Sequence, residues 1–350
     1  MHRDEWDRCD RLGKLPKSGL ARIDAIALIS GERRTRHVHA RLPCNNANSF
    51  HRRRHRVCRN ARACRRRAPS NDGSLEMPRT AGDISLEHDT PELARSYDEA
   101  GLVQFRHGKF LIGPLAIKSG EHVLDIGTGT GRLAEFVAGL VGPDGRVIGI
   151  DPLAGRIEIA RLRQGDNLQF ATGRAEDLLR FDDAQFDAVY LNSVFHWISD
   201  KDRALREIRR VLKPGGRLGL NVQDPSRPHQ SRLLLRRAIV EAGLAGDRQD
   251  SNPVLGSTDE ELKSLFAAHG FAGYRSELRA LIDIHDDAAS LLQWSEASAF
   301  GNFLEAFTPH ERDLVRRTFA RLVEEKRVPE GLKLERYLRF AFADKAPSHQ

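Results

Sequence analysis

The stretch at residues 121–132, EHVLDIGTGTGR, constrains this chain more than any other. Val123, Leu124 and Ile126 form a short apolar run ending in Gly127-Thr128-Gly129-Thr130-Gly131, after which Leu133, Phe136, Val137 and Leu140 recur at helical spacing. The pattern predicts a strand, a tight glycine turn and a helix. Three glycines in five residues allow positive φ and let a ligand lie against the main chain, with unpaired N–H groups of the helix start facing it. Such a turn is suited to a nucleotide-like molecule. A dinucleotide fingerprint would carry its third glycine at position 132, but Arg132 stands there and the third glycine comes one residue early, which disfavours NAD and FAD. Asp125 sets a carboxylate at the strand end, where a ligand's ammonium could sit. Asp151 closes the next apolar run, 147–150, where a carboxylate suits a ribose diol.

With DIGTGTG followed by IGID, the chain resembles the class I S-adenosylmethionine-dependent methyltransferases. The resemblance implies an α/β fold: a Rossmann-like, mostly parallel seven-stranded sheet with helices on both faces, an antiparallel last strand and helical lid insertions. It also implies that Asp125, Gly127, Gly129 and Gly131 hold the methionine part of S-adenosylmethionine and that Asp151 holds the ribose. Loop, carboxylate and later segments fall in the family's order over roughly 200 residues, the span of one α/β domain. Relatives carry an acidic residue followed by Ala after the third strand, for the adenine. Here Arg174 stands at the acidic position before Ala175, a departure that leaves Glu176 or Asp177 to take over, although either could cap the next segment instead.

Asn192-Ser-Val-Phe-His-Trp197 leaves the carboxyl end of a fourth strand, 186–192, where open α/β sheets place their ligands, and Asn192 is grouped with the cofactor residues. Enzymes that methylate nucleic-acid amines carry two prolines here, and Ser193 and Val194 replace them. The His196-Trp197 pair is similar to the same stretch in small-molecule methyltransferases such as the trans-aconitate, juvenile hormone acid and carrier-protein malonyl carboxyl methylators. His196 could orient a substrate oxygen or accept a proton, its pKa lying near working pH, or only bond to backbone beneath a loop. Trp197 is a packing residue or a substrate contact. Helices at 91–114 would cover the cofactor with Tyr97, Gln104 and His107, their apolar positions being Leu93, Tyr97, Leu102, Phe105 and Leu111; an ordinary amphipathic helix fits equally well.

Lys213-Pro-Gly-Gly216 stops a helix whose inward face is Leu205, Ile208 and Leu212 and opens a fifth strand at 217–222. Thr258 starts a further helix with Glu260 and Glu261 in its first turn. Strands at 274–284 and 335–342 are expected to pair antiparallel at the sheet edge. Helical segments at 230–243 and 287–326, the latter with Trp294, Phe300, Phe303 and Phe307, lie outside the minimal sheet and are expected to build a substrate pocket or lid.

Charge divides the chain. Residues 1–76 carry 19 Lys and Arg against 8 Asp and Glu, net +11, whereas the remainder carries 37 against 41, net −4. The basic character therefore belongs to a head that is expected to be disordered, or to be upstream DNA translated from a start codon placed too early, while residues 77–350 make the methyltransferase domain. All four cysteines lie in the head, at spacings that fit no zinc finger, so no metal site is expected. Arsenite methylation, which needs thiolate ligands, is disfavoured because residues 77–350 contain no cysteine. No run of about 18 uncharged apolar residues is present to span a membrane, and a cytoplasmic location is expected.

The activity expected is methyl transfer to an oxygen, carbon or nitrogen of a small molecule. Two alternatives stand beside it: a catalytically silent cofactor-binding module, and an RNA methyltransferase that uses the basic head as an arm. Deleting residues 1–76 is expected to leave the thermal unfolding midpoint and cofactor affinity unchanged. A loss of RNA-directed activity on deletion would favour the arm.

Overall fold

The computed structural model describes residues 85–244 and 256–346, so the reading of residues 1–76 as a disordered head lies outside the described residues. Helices α1 (Pro91–Ala100) and α2 (Leu102–Leu115) precede the sheet. Then come β1 (His122–Ile126), α3 (Arg132–Val141), β2 (Arg146–Asp151), α4 (Ala154–Arg161), β3 (Leu168–Thr172), β4 (Phe186–Asn192), α5 (Lys201–Val211) and β5 (Leu212–Gln223). The chain continues through α6 (Gln230–Glu241), α7 (Asp259–Ala268), β6 (Phe271–His285), α8 (Ala288–Ser298), α9 (Pro309–Val323), β7 (Arg327–Val328) and β8 (Gly331–Lys345).

The strand order is β3-β2-β1-β4-β5-β8-β6, with β1 to β5 parallel and β8 antiparallel to both of its neighbours. This is the Rossmann-like sheet expected, with the last strand reversed. An eighth strand, the two-residue β7, pairs with the start of β8 and was not anticipated. Helices cover both faces, so the central strands are apolar on both sides rather than alternating with polar residues. Leu124 and Ile126 enter one layer with Ile148, Ile150, Val189 and Leu191. Val123, Val147, Ala188 and Tyr190 enter the other.

Three boundaries differ from the expectation, each for a local reason. Leu212 is the first residue of β5 rather than the last of a helix, and the Lys-Pro-Gly-Gly segment is absorbed by a register shift between Phe186↔Leu212 and Ala188↔Arg217, with Gly215 at φ +73°. In α2, Leu102, expected among the apolar face, is 45% exposed. Gly101 breaks α1 from α2, so the second helix sets its own inward face through Gln104, His107, Leu111 and Leu115. The strands β6 and β8 run 15 residues each, well past the predicted ends, because much of β6 is solvent-facing and its ends carry no apolar periodicity.

Segments beyond the minimal sheet pack on one another. Leu234, Ile239, Leu291, Trp294, Val315 and Phe319 from α6, α8 and α9 form a third core with Leu332 and Leu334 of β8. Both α7 and α9 begin with capping boxes, Thr258 with Glu261 and Thr308 with Glu311, each satisfying two otherwise unpaired backbone donors. No helix among the described residues is long and apolar enough to cross a membrane.

Close packing beneath the glycine turn gives a stability test. Gly131 has φ +85°, and an added Cβ would lie 2.7 Å from the Phe170 ring. Gly131→Ala is expected to destabilise the fold by about 2–5 kcal/mol in urea unfolding, the sum of a left-handed backbone penalty and overpacking. A loss under about 1 kcal/mol would mean that the turn relaxes freely.

Candidate active site

In a sheet of this order the strand sequence runs outwards to opposite sides from the parallel neighbours β1 and β4, and a cleft opens beyond their carboxyl ends. The glycine loop forms one wall. Gly127, Gly129 and Gly131 take φ of +73°, +56° and +85°, a region that side-chain-bearing residues rarely adopt. Its N–H groups are not all free, as had been expected. Those of Gly127 and Thr128 donate to Ile150 O at 2.7 and 2.9 Å, that of Gly129 to Asp151 Oδ2 at 2.9 Å and that of Gly131 to Thr128 O at 3.0 Å. What the glycines supply is room: a Cβ on Gly127 would run into Val194, and one on Gly129 would lie 3.1 Å from the Tyr97 ring.

Asp151 holds this wall together. Its Oδ1 accepts the Leu153 N–H at 2.9 Å while Oδ2 takes Gly129. A carboxylate has about four acceptor sites, so roughly two are left for other donors. Burial pushes the pKa of Asp151 up, and the nearby Arg156 guanidinium opposes the rise. Arg156 is itself buried: Nη2 lies 2.8 Å from Asp89 Oδ1 and 2.7 Å from Ala297 O, and the guanidinium sits 4.0 Å from the centre of the Tyr97 ring. It thereby clamps the segments at both ends of the cap onto the cofactor side.

Asp125 is 2% exposed and opens on a smaller pocket of about 400 Å³ beside the main cleft, with Thr128 Oγ1 donating to its Oδ2 at 2.8 Å. Burial pushes its pKa up to about 7 against the Thr128 and Tyr190 hydroxyls, and the Asp151 carboxylate adds to the rise. Tyr97, Gln104, Gly127 and Asn192 border both pockets. The Asn192 amide donates to Gln104 O at 3.0 Å and accepts from Asn221 Nδ2 at 2.7 Å. At the other end of the cleft stand Ala175, Glu176 and the exposed Arg174. Asp177 is exposed, lies off the cleft and accepts from its own turn at Leu179 N, so of the two acidic candidates Glu176 is the one at the site.

The cleft, with about 1080 Å³ of empty space partly open to solvent, continues past Asn192 to His196, Trp197, Trp294, Phe300 and Arg336. Ser193 takes φ +60°, held by its N–H on Asn221 Oδ1 at 2.6 Å, and this turn sends His196 inward. His196 is 3% exposed, 4.9 Å from the Trp197 ring centre. Burial lowers its pKa to about 3, helped by the positive charges of Arg336, Lys201 and Arg232. The expectation that it titrates near working pH is therefore corrected: it is neutral and weakly basic. The Trp197 ring packs edge-on against Phe300 at 4.9 Å.

His107, expected near the cofactor, instead faces Asp283 at 3.1 Å behind the cleft. Trp294 and Phe300, from the segment expected to build a pocket or lid, do line the cleft, whereas sequence reasoning did not assign Arg156, Asp89 and Arg336 to the site. Arg336 had a readable signal, because it interrupts the inward series Leu332, Leu334, Leu338 on β8. Arg156 had none, since its partners lie 67 and 141 residues away. No group of three or more metal-ligating side chains among the described residues could hold a metal ion.

The family profile described as a methyltransferase domain matches residues 124–220. The ubiquinone/menaquinone biosynthesis C-methyltransferase of Hahella chejuensis is 40% identical over 126 residues, 34% of this chain and 50% of that protein. The enzyme of the same name from Pseudomonas putida GB-1 is 32% identical over 195 residues, 51% of this chain and 76% of that protein. An arsenite methyltransferase of Aquipseudomonas alcaligenes is 40% identical over 122 residues, 32% of this chain and 35% of that protein. The chain thus spans half the length of the first of these relatives and about a third of the last.

The raised pKa of Asp125 gives a test of whether it binds the cofactor. If the ionised carboxylate binds an ammonium, only the deprotonated fraction is competent, and with a pKa of about 7 apparent affinity for S-adenosylmethionine should fall roughly a hundredfold from pH 8 to pH 5. Calorimetry should also register proton release on binding near neutral pH. The same pH dependence in Asp125→Asn would remove Asp125 from that role.

Proposed function

The chain belongs to the class I S-adenosylmethionine-dependent methyltransferases, and from that premise we propose that it transfers a methyl group to a small-molecule acceptor, at carbon or oxygen. One observation carries the reading: a single cleft joins Gly129, Asp151 and Ala175 at one end to His196, Trp294 and Phe300 at the other. Two molecules can meet in it. The residues also fit the cofactor. Asp125 is a buried carboxylate with no cationic partner among the described residues, a costly state that an ammonium relieves.

When bound, S-adenosylmethionine supplies a methyl group on a sulfonium, a good leaving group that needs no proton. The protein's work is placement and exclusion of water. Asp125 pairs with the ammonium beside the glycines, Asp151 accepts from the ribose, and Ala175 and Glu176 border the adenine. Tyr97 and Asn192 line the passage towards the acceptor, and Trp197 and Phe300 close over it. The names of the Hahella and Pseudomonas relatives support carbon as the atom methylated. A hydroxyl-activated carbon must lose a proton, and His196, protonated only near pH 3, is a poor acceptor for it at neutral pH. Its role narrows to that of a neutral hydrogen-bond partner that orients the acceptor.

Asp151→Ala should weaken S-adenosylmethionine binding by about 1.5–3 kcal/mol, roughly 10- to 150-fold, the worth of a hydrogen bond to a charged group. Calorimetry on the full-length protein reads this directly, and an unchanged affinity would remove the ribose assignment. Incubation with methyl-labelled cofactor and simple phenols or carboxylic acids, followed by NMR of the product, distinguishes carbon from oxygen. Tight cofactor binding with no transfer to any acceptor of these classes would count against the small-molecule reading.

A further inference from the structure

Behind the acceptor end lies a buried charge cluster that the cofactor does not need. Asp283 on β6 is opposite Leu334 of β8, two residues from Arg336 and on the same face. Arg336 Nε donates to Asp283 Oδ2 at 2.8 Å. His107 Nε2 lies 3.1 Å from Asp283 Oδ1, and His229 Nε2 lies 3.4 Å from Oδ2. Burial opposes ionisation of Asp283, but Arg336 and the two imidazoles outweigh it and hold the carboxyl well below the usual range. Burial also lowers the pKa of His107 and of His285 and brings that of His229 to about 4, so all three are neutral at pH 7. The cluster contains one anion and one cation.

Only the cation reaches the cleft. Of Asp283 and Arg336, Arg336 alone lines the cavity, 95% buried, with its guanidinium 4.6 Å from the centre of the Trp294 ring. That ring is fixed in turn, its Nε1 donating to Gln104 Oε1 at 3.2 Å while Gln104 Nε2 donates to Ser298 Oγ at 3.0 Å. Arg336 Nη2 and His196 Nδ1 have no hydrogen-bond partner among the described residues. A guanidinium has five donors in a planar fork, and burying it with donors unspent is costly. The charges that act on His196 are Arg336, Lys201 and Arg232, all positive. An ion pair with a purely structural role would need neither the cavity wall, nor the fixed indole, nor the unspent donors.

We propose that Arg336, positioned by Asp283, anchors an oxyanion of the acceptor, a carboxylate or an ionised phenol or enol, so that this protein selects anionic over neutral acceptors. The inference rests on the methyltransferase reading above and specifies its substrate class. The neutral His196 is the second donor or acceptor beside that oxygen, and Trp294, Phe300 and Leu338 supply an apolar wall for the rest of the molecule.

The test uses the full-length protein loaded with S-adenosylhomocysteine, titrated at pH 8 with benzoate, with 4-nitrophenol in its ionised form, and with benzyl alcohol as the neutral control. At least one anion should bind tenfold or more tighter than benzyl alcohol. A preference for benzoate identifies a carboxylate, and one for nitrophenolate identifies a phenolate or enolate. Arg336→Gln combined with Asp283→Asn removes both charges together, so neither is stranded, and should abolish the preference while S-adenosylhomocysteine affinity changes less than threefold. Arg336→Lys, which keeps the charge but loses the fork, should retain part of it. Equal binding of all three probes to the loaded protein, or a preference that survives the double variant, overturns the inference and leaves the methyltransferase reading standing. Failure of the wild-type protein to bind S-adenosylhomocysteine overturns that reading, and the inference with it.

Discussion

The buried carboxylate of Asp151 accepts the Gly129 N–H with one oxygen and the Leu153 N–H with the other, and so ties the loop leaving β1 to the loop leaving β2. With that tie in place, the glycine turn can be neither looser nor fuller. Gly127 is pressed against Val194 from the β4 loop, Gly129 lies under Tyr97 from α1, and Gly131 is against Phe170 from β3. Three separate elements thus meet on three residues without side chains. A carboxylate so placed is expensive to bury, and Arg156 offsets part of the cost. Arg156 is in turn bonded to Asp89 and to Ala297 at the end of α8, so the electrostatics of the sheet edge also locate the cap.

Two acids are buried near each other, Asp151 on the main cleft and Asp125 on the smaller pocket beside it, at a cost to stability. Burial raises the pKa of both acids in the folded chain, that of Asp125 to about 7. For acids the sign follows directly: a folded-state pKa above the unfolded value costs stability as pH rises through the window between the two. Any ligand that offered these carboxylates a cation or hydrogen-bond donors would offset that cost and so couple binding to folding stability. The glycine loop contributes less to polar recognition than its resemblance to an anion-binding turn suggests, because four of its N–H groups bond internally.

At the far end of the cleft stands the long ribbon of β6 and β8. It carries the Asp283–Arg336 pair to the back of the cleft and also provides Leu332 and Leu334 as the floor on which α6, α8 and α9 pack. The indole of Trp294 belongs to both structures, packed in the helical core and stacked beneath Arg336. The helices outside the minimal sheet and this end of the cleft are therefore packed as one assembly through Trp294.

Much of this was readable from local pattern. β4 coincides with its predicted span, and the glycine turn, Asp125, Asp151 and the cap at Thr258 lie where spacing placed them, because strand periodicity, positive-φ glycines and capping are properties of neighbours in the chain. Tertiary packing decided what spacing could not. Asp89 and Arg156, Gln104 and Trp294, Asp283 and Arg336 are separated by 67, 190 and 53 residues, and no period links them. The same holds for charge state. His196 was correctly placed at the end of β4, but its basicity depends on burial and on three cations from distant segments. Short-range rules thus specify which backbone forms and where it turns, whereas dielectric and charge at a buried point are sums over everything folded around it, and these exist only once the chain has closed.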